Sequence, residues 1–182
     1  TLMEFFKMAK IKDSVLAQDY PNIEVIICDD GSTDGTGEVI KERYGDRVTY
    51  IYQENQGPVA ARNTTLEHTS GKYIALNSDD DVWLSEKISR QVAAMEAYPE
   101  AGLCYGKCLV ATPEGEITDE VFALSDQGRS GDCFGLFLQK NVIMEPAVMV
   151  RSSTFDDVGH FDPELRGGKD TDMFLRITLN YP

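Results

Sequence analysis

The pattern of apolar and polar positions along the chain predicts helices and strands in regular alternation. Residues 2–18 carry apolar side chains at the spacing of a helix with one apolar face, and Pro21 ends that helix. Residues 23–28 form a short, almost wholly apolar run, the kind of strand that a parallel sheet buries on both faces. Further helices are predicted over 38–44, 59–69 and 85–98, and further strands over 48–52 and 73–76. This order predicts an α/β fold with an open, Rossmann-like, mostly parallel sheet flanked by helices.

Beyond residue 99 the pattern becomes mixed, with short strands, turns and helices. The strands are predicted over 103–111 and 147–151, with a hairpin turn over 112–116 that returns antiparallel from residue 117. The helices are predicted over 133–138, 152–158 and 173–179. The polar stretches 119–132 and 162–170 are predicted to be loops, so this half is not a continuation of the parallel sheet.

Three consecutive aspartates, Asp79, Asp80 and Asp81, follow the predicted strand 73–76 closely. Adjacent carboxylates repel one another unless a cation or a set of amide donors lies among them. Because Mg²⁺ and Mn²⁺ prefer carboxylate oxygens, often together with substrate phosphates, the run predicts a site for a divalent ion. The structural alternative is a turn in which the charges face water.

A second acidic loop, DDGSTDGTG, follows the strand 23–28. Ligands of open α/β sheets bind beyond the carboxyl ends of strands, so Asp30 is a candidate acceptor for a base N–H or a ribose hydroxyl. The loop lacks the lysine and the spacing of a phosphate-binding glycine loop, so a metal would neutralise the phosphates. Asp34 has a simpler interpretation as part of a capping turn. Asp170 and Asp172 are both candidates for a general base, and spacing does not separate them.

Composition narrows the class of protein. A net charge of −14 argues against nucleic acid or an anionic membrane surface as a partner held by charge. The four cysteines contain no CxxC pair and are expected to be reduced, as in a cytoplasmic protein. The sequence shows no signal peptide and no apolar run of membrane-spanning length. Peripheral association with the inner face of the cell membrane stays open.

Four stretches, in this order, resemble the inverting nucleotide-sugar glycosyltransferases of family 2, which have the GT-A fold. They are SVLAQDYPNIEVIICDDGSTDGT, NQGPVAARN, GKYIALNSDDDVWLSEKISRQV and VMVRSSTFDDVGHFDPELRGGKDTDMFLRI. The resemblance covers residues 14–182 and implies one domain over 1–182, with a nucleotide-binding half, 1–110, and an acceptor-side half, 111–182. The family's first strand, a stretch like SVIIPTYN, has no counterpart here, so the chain is expected to be a fragment.

The resemblance also implies an activity and the residues that perform it. The expected reaction is metal-dependent transfer of a hexosyl or N-acetylhexosaminyl group from a nucleotide-diphosphate donor, expected to be a UDP-sugar, to an acceptor hydroxyl with inversion, as in polysaccharide biosynthesis. The acceptor would be a glycan, a lipid-linked molecule or a protein, and the ion Mn²⁺ or Mg²⁺. By this resemblance Asp30 contacts the uracil or ribose, Arg62 lies near the nucleotide, Asp79 touches ribose and metal, Asp80 holds the metal and Asp170 is the base.

The sequence departs from the family pattern at two of these places. Asn77 stands where the family's metal motif often begins with aspartate, so the ligand can shift among Asp79, Asp80 and Asp81. Lys169 replaces the glutamate of the family's Glu-Asp pair. Two alternatives therefore remain beside the transferase: a non-catalytic nucleotide- or glycan-binding module on the same fold, and a nucleotidyltransferase. Arg62 has a structural alternative, which is pairing with a glutamate on a helix face, and Trp83 is expected to pack in the core.

Overall fold

The computed structural model describes residues 13–78, 81–112, 116–122, 131–139 and 143–182. The chain packs into two compact units, each built from separate segments. Of the described residues, 13–72, 81–89 and 160–169 belong to the first unit, and 73–78, those between 90 and 159, and 170–182 belong to the second. The expectation of one domain with halves 1–110 and 111–182 stays a prediction.

The first unit is built on a pair of parallel strands. Strand β1, Ile26–Asp30, pairs with β2, Thr49–Gln53, from Ile26 opposite Thr49 to Asp30 opposite Gln53. Helix α1, Thr36–Tyr44, connects the two strands, and helix α2, Pro58–Glu67, follows β2. The buried side chains of Ile27, Ile40 and Tyr44 form a core against this strand pair.

The second unit contains an antiparallel sheet in the order β3–β7–β4 and a separate hairpin. The strands are β3, Tyr73–Ile74; β4, Leu103–Tyr105; β5, Cys108–Ala111; β6, Ile117–Phe122; and β7, Val148–Arg151. The helices numbered after α2 are α3, Lys87–Ala97; α4, Phe134–Gln139; α5, Thr154–Val158; and α6, Lys169–Asn180. Met173, Phe174 and Ile177 of α6 are at most 1% exposed, so this helix supplies much of the core of the second unit.

The predicted fold class is confirmed, and several predicted boundaries need correction. Strand β1 ends at Asp30 rather than at residue 28, because Asp29 and Asp30 pair with Tyr52 and Gln53 on β2. The end of the apolar run therefore does not mark the end of the strand, since Asp29 beyond it is both paired and buried. The predicted strand 73–76 is shorter, and among the described residues it pairs antiparallel with β7 instead of taking part in a parallel pair.

The predicted bounds of the strand 103–111 and of the last helix also differ from the structure. The predicted strand 103–111 divides into β4 and β5, and the predicted antiparallel return at Ile117 is confirmed as β6. Helix α6 begins at Lys169 rather than at residue 173. Its first turn is polar and therefore carries no apolar signal, although acidic side chains such as Asp170 are favourable at a helix N-terminus.

None of the helices in the described ranges is long and apolar enough to cross a membrane.

Arg151 connects several parts of the second unit at the end of β7. Its guanidinium donates to Ala101 O at 3.1 Å, to Met95 O at 3.1 Å and to Tyr98 O at 3.3 Å. It also lies 5.3 Å from the centroid of the Tyr73 ring. A charged donor thus reaches carbonyl groups at and just beyond the C-terminal end of α3, and Tyr98 O also accepts from Ala101 N at 3.1 Å.

Replacing Arg151 with methionine is expected to lower the free energy of unfolding by about 2–4 kcal/mol, because the carbonyl groups lose charged donors in a half-buried place. The matched control is Arg47→Met, since Arg47 also donates to the carbonyls of Tyr44 and Arg43, in an exposed position. The control is expected to cost less than about 1 kcal/mol. Urea unfolding followed by circular dichroism measures both, and equal losses for the two variants would show that the Arg151 contacts do not stabilise the unit.

Candidate active site

Asp29, the first of the two aspartates that end β1, is a buried structural carboxylate. Its side chain is 6% exposed, and it accepts hydrogen bonds from Ser32 N at 2.8 Å and from the Tyr50 hydroxyl at 2.5 Å. Burial raises the pKa of Asp29, but the hydrogen bonds from Tyr50 and Ser32 outweigh it, so the net effect is a lowered pKa. Asp29 therefore fixes the loop after β1 as an anion, and it is not available to a ligand in the same way as its neighbour.

Asp30 holds the start of α2. Its carboxylate accepts from Gln56 N at 2.9 Å, from Gly57 N at 2.8 Å and from Gln53 Nε2 at 2.7 Å. The donation from Gln56 N is the main cause of the lowered pKa of Asp30, and the donations from Gln53 Nε2 and Gly57 N add to it against the opposing effect of burial. A carboxylate has about four acceptor positions. One position thus remains for the base N–H or ribose hydroxyl that the resemblance assigns to Asp30, and that assignment stays a prediction.

The loop between Asp30 and α1 has little room for larger side chains. Gly31 has a φ of +88°, and a Cβ atom there would lie 2.9 Å from Asn55 N. Asp34 accepts from Thr36 N at 3.1 Å and from Thr36 Oγ1 at 2.6 Å. Asp34 therefore closes the turn into α1, as the capping interpretation predicts.

The lowered pKa of Asp30 predicts that its contribution to stability depends on pH. This contribution is fully present above the unfolded-state pKa of about 3.9 and is lost as the pH falls through the lowered folded-state pKa. We expect Asp30→Asn to melt several degrees below the wild type near neutral pH, and the gap to close towards about pH 2. Thermal melts across this range test the prediction, with Asp46→Asn as an exposed control of equal charge change. A gap that stays constant with pH would contradict it.

Arg62 lies on α2, half-buried, with its guanidinium carbon 6.0 Å from the centroid of the Phe161 ring. Asp30 fixes the residues directly before this helix, so Asp30 and Arg62 belong to one connected part of the first unit. The predicted role of Arg62 near the nucleotide stays a prediction.

Residues 83–88, which follow the aspartate run in the chain, are anchored by hydrogen bonds within the first unit. Trp83 N donates to the Ser14 hydroxyl at 3.1 Å, and the side-chain amide of Gln18 donates to Leu84 O at 2.9 Å and accepts from Ile88 N at 3.0 Å. Trp83 is 8% exposed, with Lys87 Nζ 4.0 Å from its ring centroid, so the prediction of core packing is confirmed. Sequence reasoning missed Ser14 and Gln18, although both lie in the quoted stretch SVLAQDYP.

The candidate metal ligands are only partly inside the described residues. Asp79 and Asp80 lie outside them, whereas Asp81 is half-buried in the first unit. Among the described residues, which exclude Asp79 and Asp80, no three His, Cys, Asp or Glu side chains gather in a metal-binding arrangement. Carboxylates offer only oxygen ligands, so the residue types of Asp79, Asp80 and Asp81 fit Mg²⁺ or Mn²⁺.

The two candidate bases on α6 have different surroundings. Asp172 Oδ2 accepts from Arg176 Nε at 3.0 Å and from Arg176 Nη2 at 2.8 Å, and Arg176 also donates to Val158 O. Asp170, also half-buried, has no hydrogen-bond or ion-pair partner among the residues that the structure describes. Because a proton acceptor needs an accessible lone pair, this difference favours Asp170 over Asp172. Both residues belong to the second unit, whereas Asp30, Arg62 and Asp81 belong to the first.

The family model described as Glycosyl transferase family 2 matches residues 8–120, which is more than half of the chain. The chain therefore belongs to glycosyltransferase family 2. Five curated relatives from Rickettsia species, described as uncharacterized glycosyltransferases, are 31–32% identical over 90–96% of this chain. The chain spans 24–56% of the length of these relatives. It is also 44% identical over 85 residues to the Escherichia coli UDP-Glc:alpha-D-GlcNAc-diphosphoundecaprenol beta-1,3-glucosyltransferase WfaP, covering 46% of this chain and 34% of that protein.

Solved structures support the GT-A fold. The mannosyltransferase PcManGT from Pyrobaculum calidifontis, in complex with GDP-Man and Mn²⁺, superposes with a TM-score of 0.71 at 19% identity, covering 96% of this chain and 49% of that one. S. aureus TarS 1-349, in complex with UDP, superposes with a TM-score of 0.68 at 19% identity, covering 98% and 53%. The sequence-based prediction of family and fold class is confirmed.

Proposed function

We propose that this glycosyltransferase moves a sugar from UDP to an acceptor hydroxyl with inversion, and that Asp170 is the general base. The observation that carries the proposal is the contrast on α6: Arg176 holds the carboxylate of Asp172, whereas Asp170 has no partner within the described residues. An inverting transfer needs one accessible carboxylate on the acceptor side, and Asp170 meets that need.

UDP as the carrier is supported by the relatives. The name of WfaP includes UDP-Glc, and a structure of TarS contains UDP. Asp30 retains one acceptor position for the uracil or ribose, beside three donors that fix its carboxylate. Arg62 lies on helix α2, and Asp30 fixes the start of that helix. A positive charge therefore lies in the same part of the first unit as Asp30.

In the proposed reaction the acceptor hydroxyl gives its proton to a carboxylate oxygen of Asp170. The acceptor oxygen forms a bond to the anomeric carbon on the face opposite the diphosphate, and the bond from that carbon to the phosphate oxygen breaks. UDP departs with the electron pair. A divalent ion held by Asp79, Asp80 and Asp81 would act as a Lewis acid that stabilises the negative charge of the diphosphate.

Release of UDP from donor sugars tests this proposal. The protein is incubated with Mn²⁺ and, separately, with UDP-glucose, UDP-N-acetylglucosamine or GDP-mannose, and the released nucleotide and sugar are followed by NMR. We expect release from a UDP-sugar in preference to GDP-mannose, with the free sugar first seen as the inverted anomer. Preferred release from GDP-mannose would contradict the choice of UDP, and a retained anomer would contradict inversion.

Lys169 beside Asp170 is the observation that favours a second candidate, a non-catalytic binding module. The family pattern has glutamate at this position, so the acidic pair that the family places there is incomplete in this chain. The same experiment separates the candidates, because a binding module would bind UDP and release none from any donor.

A further inference from the structure

An asparagine on α2 pairs with the backbone of a distant segment. Asn63 Nδ2 donates to Phe161 O at 2.9 Å, and Phe161 N donates to Asn63 Oδ1 at 3.0 Å. The two residues are 98 positions apart in the chain. An amide side chain that both donates to and accepts from one residue reproduces a pair of ladder hydrogen bonds, so it fixes both the position and the direction of the partner backbone.

The hydrogen-bonded pair of Asn63 and Phe161 is partly buried, and helix α2, which carries Asn63, is itself attached to the strands. The Phe161 side chain is 2% exposed and lies under the guanidinium of Arg62. At the start of α2 the carboxylate of Asp30 holds the backbone, and farther along Thr64 Oγ1 donates to Gln53 Oε1 at 2.7 Å. Side chains on both sides of Asn63 therefore attach α2 to the ends of β1 and β2.

Phe161 belongs to the segment 160–169, which packs in the first unit and continues directly into α6. Within this segment Asp162 Oδ1 accepts from Glu164 N at 2.8 Å, which forms a local turn. Asp170 is the second residue of α6 and follows Phe161 by nine positions. The backbone that leads to the proposed base is thus held at its start by Asn63.

We infer that Asn63 is a positioning residue for Asp170: it holds the segment 160–169 so that α6 begins in the place that the reaction requires. The inference rests on the proposed function, since it assigns Asn63 a role through the proposed base. A displacement of about 1 Å of a catalytic group can cost about 100-fold in rate, so loss of this anchor reduces turnover without contact between Asn63 and the substrate.

The test uses Asn63→Ala, which removes both hydrogen bonds, and Asn63→Asp, which keeps the acceptor for Phe161 N and loses the donor to Phe161 O. Thr65→Ala is the control on the same helix, because Thr65 Oγ1 donates to Arg62 O within α2 and, among the described residues, to no other segment. The measurements are kcat and KM for UDP release from the preferred UDP-sugar, the affinity for UDP, and hydrogen exchange of segment 160–169. We expect Asn63→Ala and Asn63→Asp each to lower kcat about 10- to 100-fold, the second because its carboxylate opposes Phe161 O, and UDP affinity to change less than about threefold.

A double-mutant cycle separates positioning from a general loss of stability. In the Asp170→Asn background, Asn63→Ala is expected to lower the remaining turnover little, because the group that Asn63 positions is already inactive. Faster hydrogen exchange in segment 160–169, with α2 unchanged, is expected in the single variant.

The outcomes separate this inference from the proposed function. If the wild type releases no UDP from any donor, the proposed function fails. If the wild type is active and Asn63→Ala has the same kcat, or loses UDP affinity by the same factor as kcat, the inference is wrong. An equal effect of Asn63→Ala in the wild-type and Asp170→Asn backgrounds also overturns it. If Asn63→Ala does not fold, kcat, UDP affinity and the effect in the Asp170→Asn background are measured with Asn63→Asp instead.

Discussion

Replacement of Asp170 by asparagine is expected to lower kcat for sugar transfer by about 10²- to 10⁴-fold, the range that general bases contribute. Asparagine has nearly the same shape but cannot accept the proton of the acceptor hydroxyl at neutral pH. The affinity for UDP should change less than about twofold, because the proposed base acts on the acceptor and not on the nucleotide. The measurements are turnover of the preferred UDP-sugar and calorimetry of UDP, made on the same protein samples.

Asp172→Asn is the matched control, since it removes an equal charge from the same helical turn. It breaks the ion pair with Arg176 and is expected to cost about 1 kcal/mol or less in stability, as exposed or half-exposed pairs on a helix usually do. Turnover should stay within about threefold of the wild type. If Asp172→Asn were the inactive variant and Asp170→Asn the active one, the assignment of the base would be reversed.

Loss of the divalent ion is expected to have the second large effect. Of the single variants Asp79→Asn, Asp80→Asn and Asp81→Asn, at least one should weaken Mn²⁺-dependent UDP binding about 100-fold or more. Residues that merely support metal ligands already contribute 10- to 100-fold, and a ligand should contribute at least as much. Asp46→Asn, an exposed aspartate in the first unit, controls for the change in net charge. Titration of UDP at fixed Mn²⁺ identifies which of the three carboxylates holds the ion.

Wild-type affinity in all three aspartate variants would contradict a metal site on this loop. The carboxylates would then be a solvated turn, which is the structural alternative that the sequence leaves open. UDP would have to be bound by Asp30, Arg62 and backbone groups alone, and an acidic chain would hold a diphosphate without a neutralising cation.

The sequence could predict the helices and strands of the first unit because apolar residues recur there at helix or strand spacing. The loops between them contain turn-forming residues. Ile26–Asp30 was recognisable as a strand from its apolar run, although its last two residues were not. Aspartate is depleted in strands, and nothing local indicates that Asp29 is satisfied by Tyr50, a residue 21 positions away. Predicting that pair requires the register of β1 against β2, which only the packed structure supplies.

The distinction between Asp170 and Asp172 shows where sequence reasoning stops at the site. Both aspartates lie in the first turn of α6, and both suit a helix N-terminus. The spacing of Asp172 and Arg176 allows an ion pair, but only the side-chain geometry shows that this pair forms and that Asp170 is left without a partner in the described chain.

Side-chain anchors over long separations were out of reach for similar reasons. Asn63 is visible in the motif NQGPVAARN, yet the motif does not show that its amide pairs with Phe161. Gln18 likewise reads as the end of a helix, whereas in the structure it fixes the loop after the aspartate run. Polar residues inside a recognised motif that lack a proposed chemical role are therefore good candidates for anchors of this kind.

Calorimetric titration of the wild-type protein with UDP, in the presence and in the absence of Mn²⁺, tests the central claim most directly. The claim is that carboxylates of the loop 79–81 hold a divalent ion against the diphosphate of a nucleotide. It predicts saturable binding with Mn²⁺ and binding at least about 10-fold weaker after chelation, because the acidic loop then repels the phosphates. Equal affinity in both conditions, or no binding in either, would contradict the claim.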